Sequence, residues 1–298
     1  MTLTKLELKV LATIIEEETT LKDLAQILNL SKSTLSTILH PLKEKGLVEL
    51  ERRRKLIVRP SKAKATSLLH TIILKYPQLN ILEILAGNSL KVLSALEVEK
   101  PQPAWLIELK ANVSRATLYR SLNKLMDRLI VGEKGGGYFI TEKFADLKFF
   151  ADEYFYLQNS IRVKRFNESA SLVWSGVGEF ILVTKRFKGK AIGRFQLTGP
   201  LRLSDYGVSL ISPGIYHYYW PAENLALEDV IVHTVKVYHD GRGLLYVIEV
   251  LKTNNFDERR IKKLAAKFGV SEIVNGILDH LKGKSLEGSL MHHWGFWR

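Results

Sequence analysis

Internal repetition is the strongest constraint on this chain. LSKSTLSTILHPL, residues 30–42, returns as VSRATLYRSLNKL, residues 113–125: Ser31, Thr34, Leu35, Leu39 and Leu42 recur as Ser114, Thr117, Leu118, Leu122 and Leu125. Upstream, LKVLATI at residues 8–14 matches LKVLSAL at residues 90–96, an offset of 82 positions against 83 for the later pair. Two elements recurring in one order at nearly one offset mark a duplicated structural unit.

Each copy has the same local grammar. In the first, Leu6, Val10, Leu11 and Ile14 sit at helical spacing, and Glu16 to Glu18 with two threonines end that helix. A short second helix is predicted over Leu21 to Leu28. Ser31 is placed to cap a third, because its hydroxyl can accept from a backbone N–H exposed in the first turn. Leu35, Ile38, Leu39 and Leu42 form the apolar stripe of that helix, and Gly46 ends it. Pro41 lacks an N–H, which predicts a kink or a local end beyond His40. LVELERRRKLIVRP then reads as two β-prone arms around a basic tip. In the second copy Pro103 to Asn112 takes the place of the second helix, Ser114 is again the cap, and VGEKGGGYFIT is again strand, turn and strand.

Three helices followed by a β-hairpin, with a short second helix leading into a capped third, resembles the winged helix-turn-helix family over residues 3–61 and 81–141. The resemblance implies a third helix in the major groove and a wing on the backbone or minor groove of double-stranded DNA. With the leucine stripe turned inward, Lys32, Ser33, Ser36, Thr37, His40 and Lys43 are predicted to face outward. The second copy presents Arg115, Ala116, Tyr119, Arg120, Asn123 and Lys124. Arginine pairs bidentately with guanine and asparagine with adenine, so this second helix is better equipped for base readout. Conversely, Arg52, Arg53, Arg54 and Lys55 form a cationic wing tip in copy one, whereas Gly135, Gly136 and Gly137 leave the second wing bare. Copy one is therefore expected to grip backbone or minor groove, and copy two to supply more of the discrimination.

The expected fold class is mainly α with β-wings: two tandem winged helix-turn-helix domains, residues 1–78 and 79–166, followed by a mixed α+β domain, residues 167–298. Lys62 to Leu74 reads as a helix between the copies. Phe144, Leu147, Phe150, Tyr154, Leu157 and Ile161 line one side of a long helix after the second copy, with Phe149, Phe155 and Tyr156 beside them. So apolar a helix is expected to pack against another domain or a second subunit. From Ser169 onward SLVW, FILVTKRF, AIGRFQL, VSLIS and IYHYYW read as strands. VIVHTVKVYHDGRGLLYVIEVL fits either a hairpin or a helix, turn and helix. Asp257 to Phe268 and Ile273 to Leu281 are amphipathic helices, with Gly269 a C-cap. The aromatic tail LMHHWGFWR is expected to dock, within the chain or across a homodimer.

Charge points to the same partner. The chain carries a formal net charge of +13, and residues 1–166 hold 27 Lys+Arg against 18 Asp+Glu. Such a surface attracts phosphate backbones. No apolar run is long enough for a membrane helix, and MTLTKLELKVL lacks the pattern of a signal peptide, so a cytoplasmic, membrane-free protein is expected. The absence of cysteine excludes thiol catalysis, disulfides and cysteine-based zinc sites. Eight histidines without an HExxH pair give no metal site, and no cofactor is expected. GEKGGG lacks the Lys-Ser/Thr of a phosphate-binding loop.

VIEVLK, residues 247–252, resembles the catalytic strand of restriction-endonuclease-like nucleases but departs from it. Two residues separate Glu249 from Lys252 instead of one, and no acidic residue occurs from Ile231 to His239. A non-enzymatic chain is therefore expected. PAENLALEDVIVHTVKV followed by FDERRIKKLAAKFGVSEIVNGILDHL, within residues 221–282, is similar in spacing to the C-terminal region of AbiEi-type antitoxins. That resemblance implies an autorepressor with a protein partner on its C-terminal domain, although the second winged helix departs from the family.

Overall fold

A computed structural model of the chain describes residues 2–15, 18–52, 54–209, 214–238 and 241–284. The chain divides into two compact units, residues 1–161 and 162–298.

In the first unit α1 (Lys5–Ile14) opens with a capping box. The Thr4 hydroxyl accepts from the Glu7 amide at 3.1 Å, and the Glu7 carboxylate accepts from the Thr4 amide at 2.8 Å. After β1 (Thr19–Thr20) and α2 (Leu21–Leu28), Asn29 turns the chain in the left-handed conformation, φ 53°. Asparagine tolerates that region because its short side chain bonds locally. Ser31 caps α3 (Lys32–Glu44), accepting from the Thr34 amide at 3.1 Å. Pro41 does not end α3, which runs through it to Glu44. β2 (Val48–Arg52) and β3 (Leu56–Pro60) form the wing, and β1 adds to β3 as a third strand, giving the order β1-β3-β2. Leu35, Ile38, Leu39 and Leu42 are buried as the spacing predicts. Each such burial stabilises by about 1.5–3 kcal/mol, which fixes the face α3 presents.

α4 (Lys64–Lys75) and the short α5 (Ile81–Ile84) lead into the second copy. There α6 (Asn88–Ala95), β4 (Gln102–Pro103), α7 (Ala104–Ala111), α8 (Arg115–Met126), β5 (Val131–Lys134) and β6 (Gly137–Ile140) repeat the first order, with strands arranged β4-β6-β5. Asn112, φ 50°, takes the place of Asn29, and Ser114 takes that of Ser31, accepting from the Thr117 amide at 3.4 Å. The repeat therefore holds down to the turn between the last two helices. The short β1, β4 and α5 are not among the elements expected from the sequence.

The aromatic helix is α9 (Ala145–Phe166). Leu147, Phe150, Tyr154 and Phe155 are buried, and α9 contacts both copies. On the first-copy side Asp146 pairs with Lys75 at 2.5 Å, Glu153 with Lys64 at 2.5 Å, and Gln158 donates to the Lys45 carbonyl at 2.7 Å. On the second, Asp152 accepts from the Ser94 hydroxyl at 2.8 Å. One node ties these parts together. Lys45, just past the end of α3, is buried and pairs with buried Glu7 at 2.6 Å while donating to the Thr2 carbonyl at 2.9 Å.

The second unit is α+β. β7 (Ser171–Gly176), β8 (Glu179–Thr184), β9 (Ala191–Ile192), β10 (Phe195–Thr198) and β11 (Tyr216–Trp220) make an antiparallel sheet in the order β7-β8-β11-β10-β9. Successive residues along a strand face opposite sides. Ile181 joins α10 (Leu227–Val237), α11 (Gly241–Thr253), α12 (Glu258–Phe268) and α13 (Ser271–Leu281) in one core, whereas Phe180 and Leu182 join Val163 and Phe166 of α9 in the other.

One expectation needs correction, and one open reading is decided. Val208 and Ser209 of VSLIS form no strand; a 3-10 segment, Pro200–Tyr206, ends just before them at Gly207, and the rest of that stretch lies outside the described residues. The VIEVLK segment is helical, within α11: Leu244, Val247, Ile248 and Leu251 are buried at helical spacing, so no nuclease-type strand exists there. The docking expected of LMHHWGFWR also falls outside the described residues. Among the described residues no helix is long and apolar enough to cross a membrane.

Candidate nucleic-acid interface

The leucine stripe that buries α3 leaves its opposite face to solvent. Lys32, Ser33, Thr37, His40 and Lys43 are exposed there, and Ser36 is half-buried. Ser33 shares a hydrogen bond with the Ser31 hydroxyl at 2.9 Å, and Thr37 donates to the Thr34 carbonyl at 2.7 Å, so both hydroxyls are held in place. The wing tip follows directly from the hairpin. Arg52 closes β2, and Arg54 and Lys55 are exposed in the turn; Arg53 lies outside the described residues.

Pairing separates these cations from Arg59 of the same wing. Arg59 on β3 is engaged by Glu18 at 2.6 Å and Glu51 at 2.8 Å. Among the described residues Lys32, Lys43, Arg52, Arg54 and Lys55 have no carboxylate partner. A cation without a partner of its own chain pays nothing to release one when it meets a phosphate.

The second copy presents a different surface. Arg115 and Asn123 are exposed, and the Arg115 guanidinium lies 5.8 Å from the centre of the half-buried Tyr119 ring. Ala116 is exposed beside them. Arg120 is exposed but folds back on α8, donating to the Ala116 carbonyl and the Thr117 hydroxyl, both at 3.3 Å. Lys124 departs from the expectation that it faces outward. Its amine donates to the Glu83 carbonyl of α5 at 2.5 Å, and burial lowers its pKa. Arg128 closes the same contact, donating to the Glu83 carboxylate at 3.0 Å. A helical wheel could not reveal this, because the acceptor lies on another helix.

The second wing is bare for a backbone reason. Gly135 and Gly136 have φ 58° and 75°, the left-handed pair that a two-residue hairpin loop demands. At Gly137 a Cβ would sit 2.9 Å from the Pro101 side chain, so the close approach of the chain there requires glycine. A small cleft of about 220 Å³ lies beside α8, lined by Asn88 and Ser89 of α6 with Thr117, Arg120, Ser121 and Lys124. No spacing signal in the sequence joins Asn88 and Ser89 to α8.

The arrangement can neutralise phosphates through copy one and offer arginine, tyrosine and asparagine to base edges through copy two. Among the described residues no group of three His, Cys, Asp or Glu side chains could hold a metal. Residues 193–292 match the family model described as HVO_2833_C, C-terminal, a name that states no activity. No curated protein and no solved structure matches the chain. Residues 1–55, from α1 to the wing tip, match the model of the MarR family, so the first domain is a winged helix of the kind carried by DNA-binding transcriptional regulators.

Proposed function

We propose that the chain is a transcriptional regulator that binds double-stranded DNA through two unequal winged helices. The observation that carries this reading is the set of exposed cations without carboxylate partners on α3 and its wing, inside the segment that matches the MarR family. Copy one supplies phosphate contacts and copy two supplies discrimination through Arg115, Tyr119, Arg120 and Asn123. The second unit serves oligomerisation, sensing or a protein partner of the antitoxin-neutralised kind. The reading is non-enzymatic, and the helical setting of Glu249 and Lys252 supports it.

Genome-wide recovery of DNA bound by the full chain tests this reading. Enrichment at a limited set of sites, flattened by R120A/N123A, is the expected result. Absence of enrichment, with one stoichiometric protein recovered after nuclease treatment, overturns it in favour of a protein-interaction scaffold.

A further inference from the structure

The surface of the second unit carries an open cavity of about 470 Å³, within the size range of small-molecule sites. Its wall carries Arg162, Arg165, Lys188 and Arg194, and none of its lining residues is acidic. Phe166, Phe195 and Trp220 supply aromatic surface between the cations.

The rings hold the cations in place. The Arg162 guanidinium lies 4.4 Å from the centre of the Trp220 ring and that of Arg194 lies 5.7 Å from it. The Lys188 amine lies 4.3 Å from the centre of the Phe166 ring and donates to the Phe166 carbonyl. The rings are fixed in turn: Trp220 stacks with Phe180 at 5.5 Å, and Phe166 meets Phe195 at 4.3 Å. Cations positioned before a ligand arrives lower the ordering cost of binding. Arg165 and Arg194 are exposed and have no carboxylate partner among the described residues.

Arg165 and Arg194, with Lys188 and Arg162 beside them, favour a multivalent anion over a single carboxylate, because like charges around one site repel one another until an anion lies between them. The aromatic wall adds a demand for an apolar, planar body, which inorganic phosphate lacks. We propose that this cavity binds a nucleotide, its phosphates on the arginines and lysine and its base against the aromatic wall. The source is either a free nucleotide or the phosphorylated end of a nucleic-acid strand. The site draws only on residues of the second unit and shares none with the winged-helix set, so R165Q and R194Q test it without altering a residue assigned to duplex binding.

Calorimetric titration of the full chain with ATP, GTP, CTP and UTP tests the proposal, with pyrophosphate and adenosine as half-ligands and a single-stranded oligothymidylate carrying a terminal phosphate. At least one nucleotide is expected to bind more tightly than pyrophosphate, and adenosine not to bind. R165Q and R194Q, at exposed positions, are each expected to weaken binding about tenfold, the size of one charge-assisted hydrogen bond. Tighter binding of the oligonucleotide assigns the strand end; tighter binding of a mononucleotide assigns the free ligand. No nucleotide binding, pyrophosphate equal to the nucleotides, or folded variants that bind as wild type overturns the proposal. Circular dichroism identifies a variant that fails to fold, and the half-ligand comparison on wild type then decides.

Discussion

Removing the wing cations gives a test whose size follows from counting. Arg52, Arg54 and Lys55 are exposed, adjacent, and without carboxylate partners among the described residues. If each neutralises one phosphate, the triple variant R52A/R54A/K55A loses about 0.9 released counterion per cation, and the slope of log K against log salt becomes shallower by about 2.7. Between about 50 and 200 mM salt, wild type then loses about 40-fold more affinity than the variant. Fluorescence anisotropy on one labelled duplex across a salt series reads both slopes. K75A is the matched control, since Lys75 already pairs with Asp146 at 2.5 Å, and its slope should equal that of wild type. An unchanged slope in the triple variant, or an equal change in K75A, refutes the assignment of the wing to phosphate contact.

The remaining predictions concern the second copy, the buried node and the second unit. R120A and N123A should each lower discrimination between preferred and mismatched duplexes by about 1–3 kcal/mol, whereas K124A, whose amine is spent on Glu83, should leave the salt slope unchanged; competition binding with mismatched duplexes separates the two. K45M should destabilise the fold by about 3–5 kcal/mol in urea unfolding, because it strands a buried Glu7 carboxylate, and E7Q/K45M should recover much of that loss. Burial holds the His233 pKa down at about 3 and that of His217 at about 4, below the ordinary 6.5. Both rings therefore protonate more readily unfolded: their stabilising contribution is complete above pH 6.5 and is lost as pH falls toward the folded-state values. Each costs about 1.4 kcal/mol per pH unit in that window. Denaturation from pH 7.5 to 4.5 should show the loss, and H233N should show a shallower one; identical slopes would sink the assignment.

The duplicated architecture was legible because it is written in local chemistry. Ser31 and Ser114 announce their helices, and the leucine spacing of α3 and α8 states which face is buried. Features resting on distant partners were not legible. β1 is two threonines whose strand character exists only because Val58 and Ile57 pair with them. Lys124 reads as a surface lysine until α5 places the Glu83 carbonyl against it. The run through Asp240 fits hairpin or helices because short apolar stretches carry either period, and burial on one side of α11 decides it. The cationic cavity draws on the end of α9, Lys188, the β9–β10 turn and β11, which no spacing rule connects.

The Lys45 node, with the ion pairs and hydrogen bonds of α9, fastens both winged helices to one strut. For a reader of DNA, a strut is a ruler. If both domains engage one duplex, neither can shift along it to suit its own subsite, and the spacing of an acceptable target is dictated by protein rather than by the DNA. Inserting about half a helical turn, roughly 5 base pairs, between subsites rotates the second groove to the far side of the duplex. Distance would then be part of what this protein recognises, encoded in residues that touch no base.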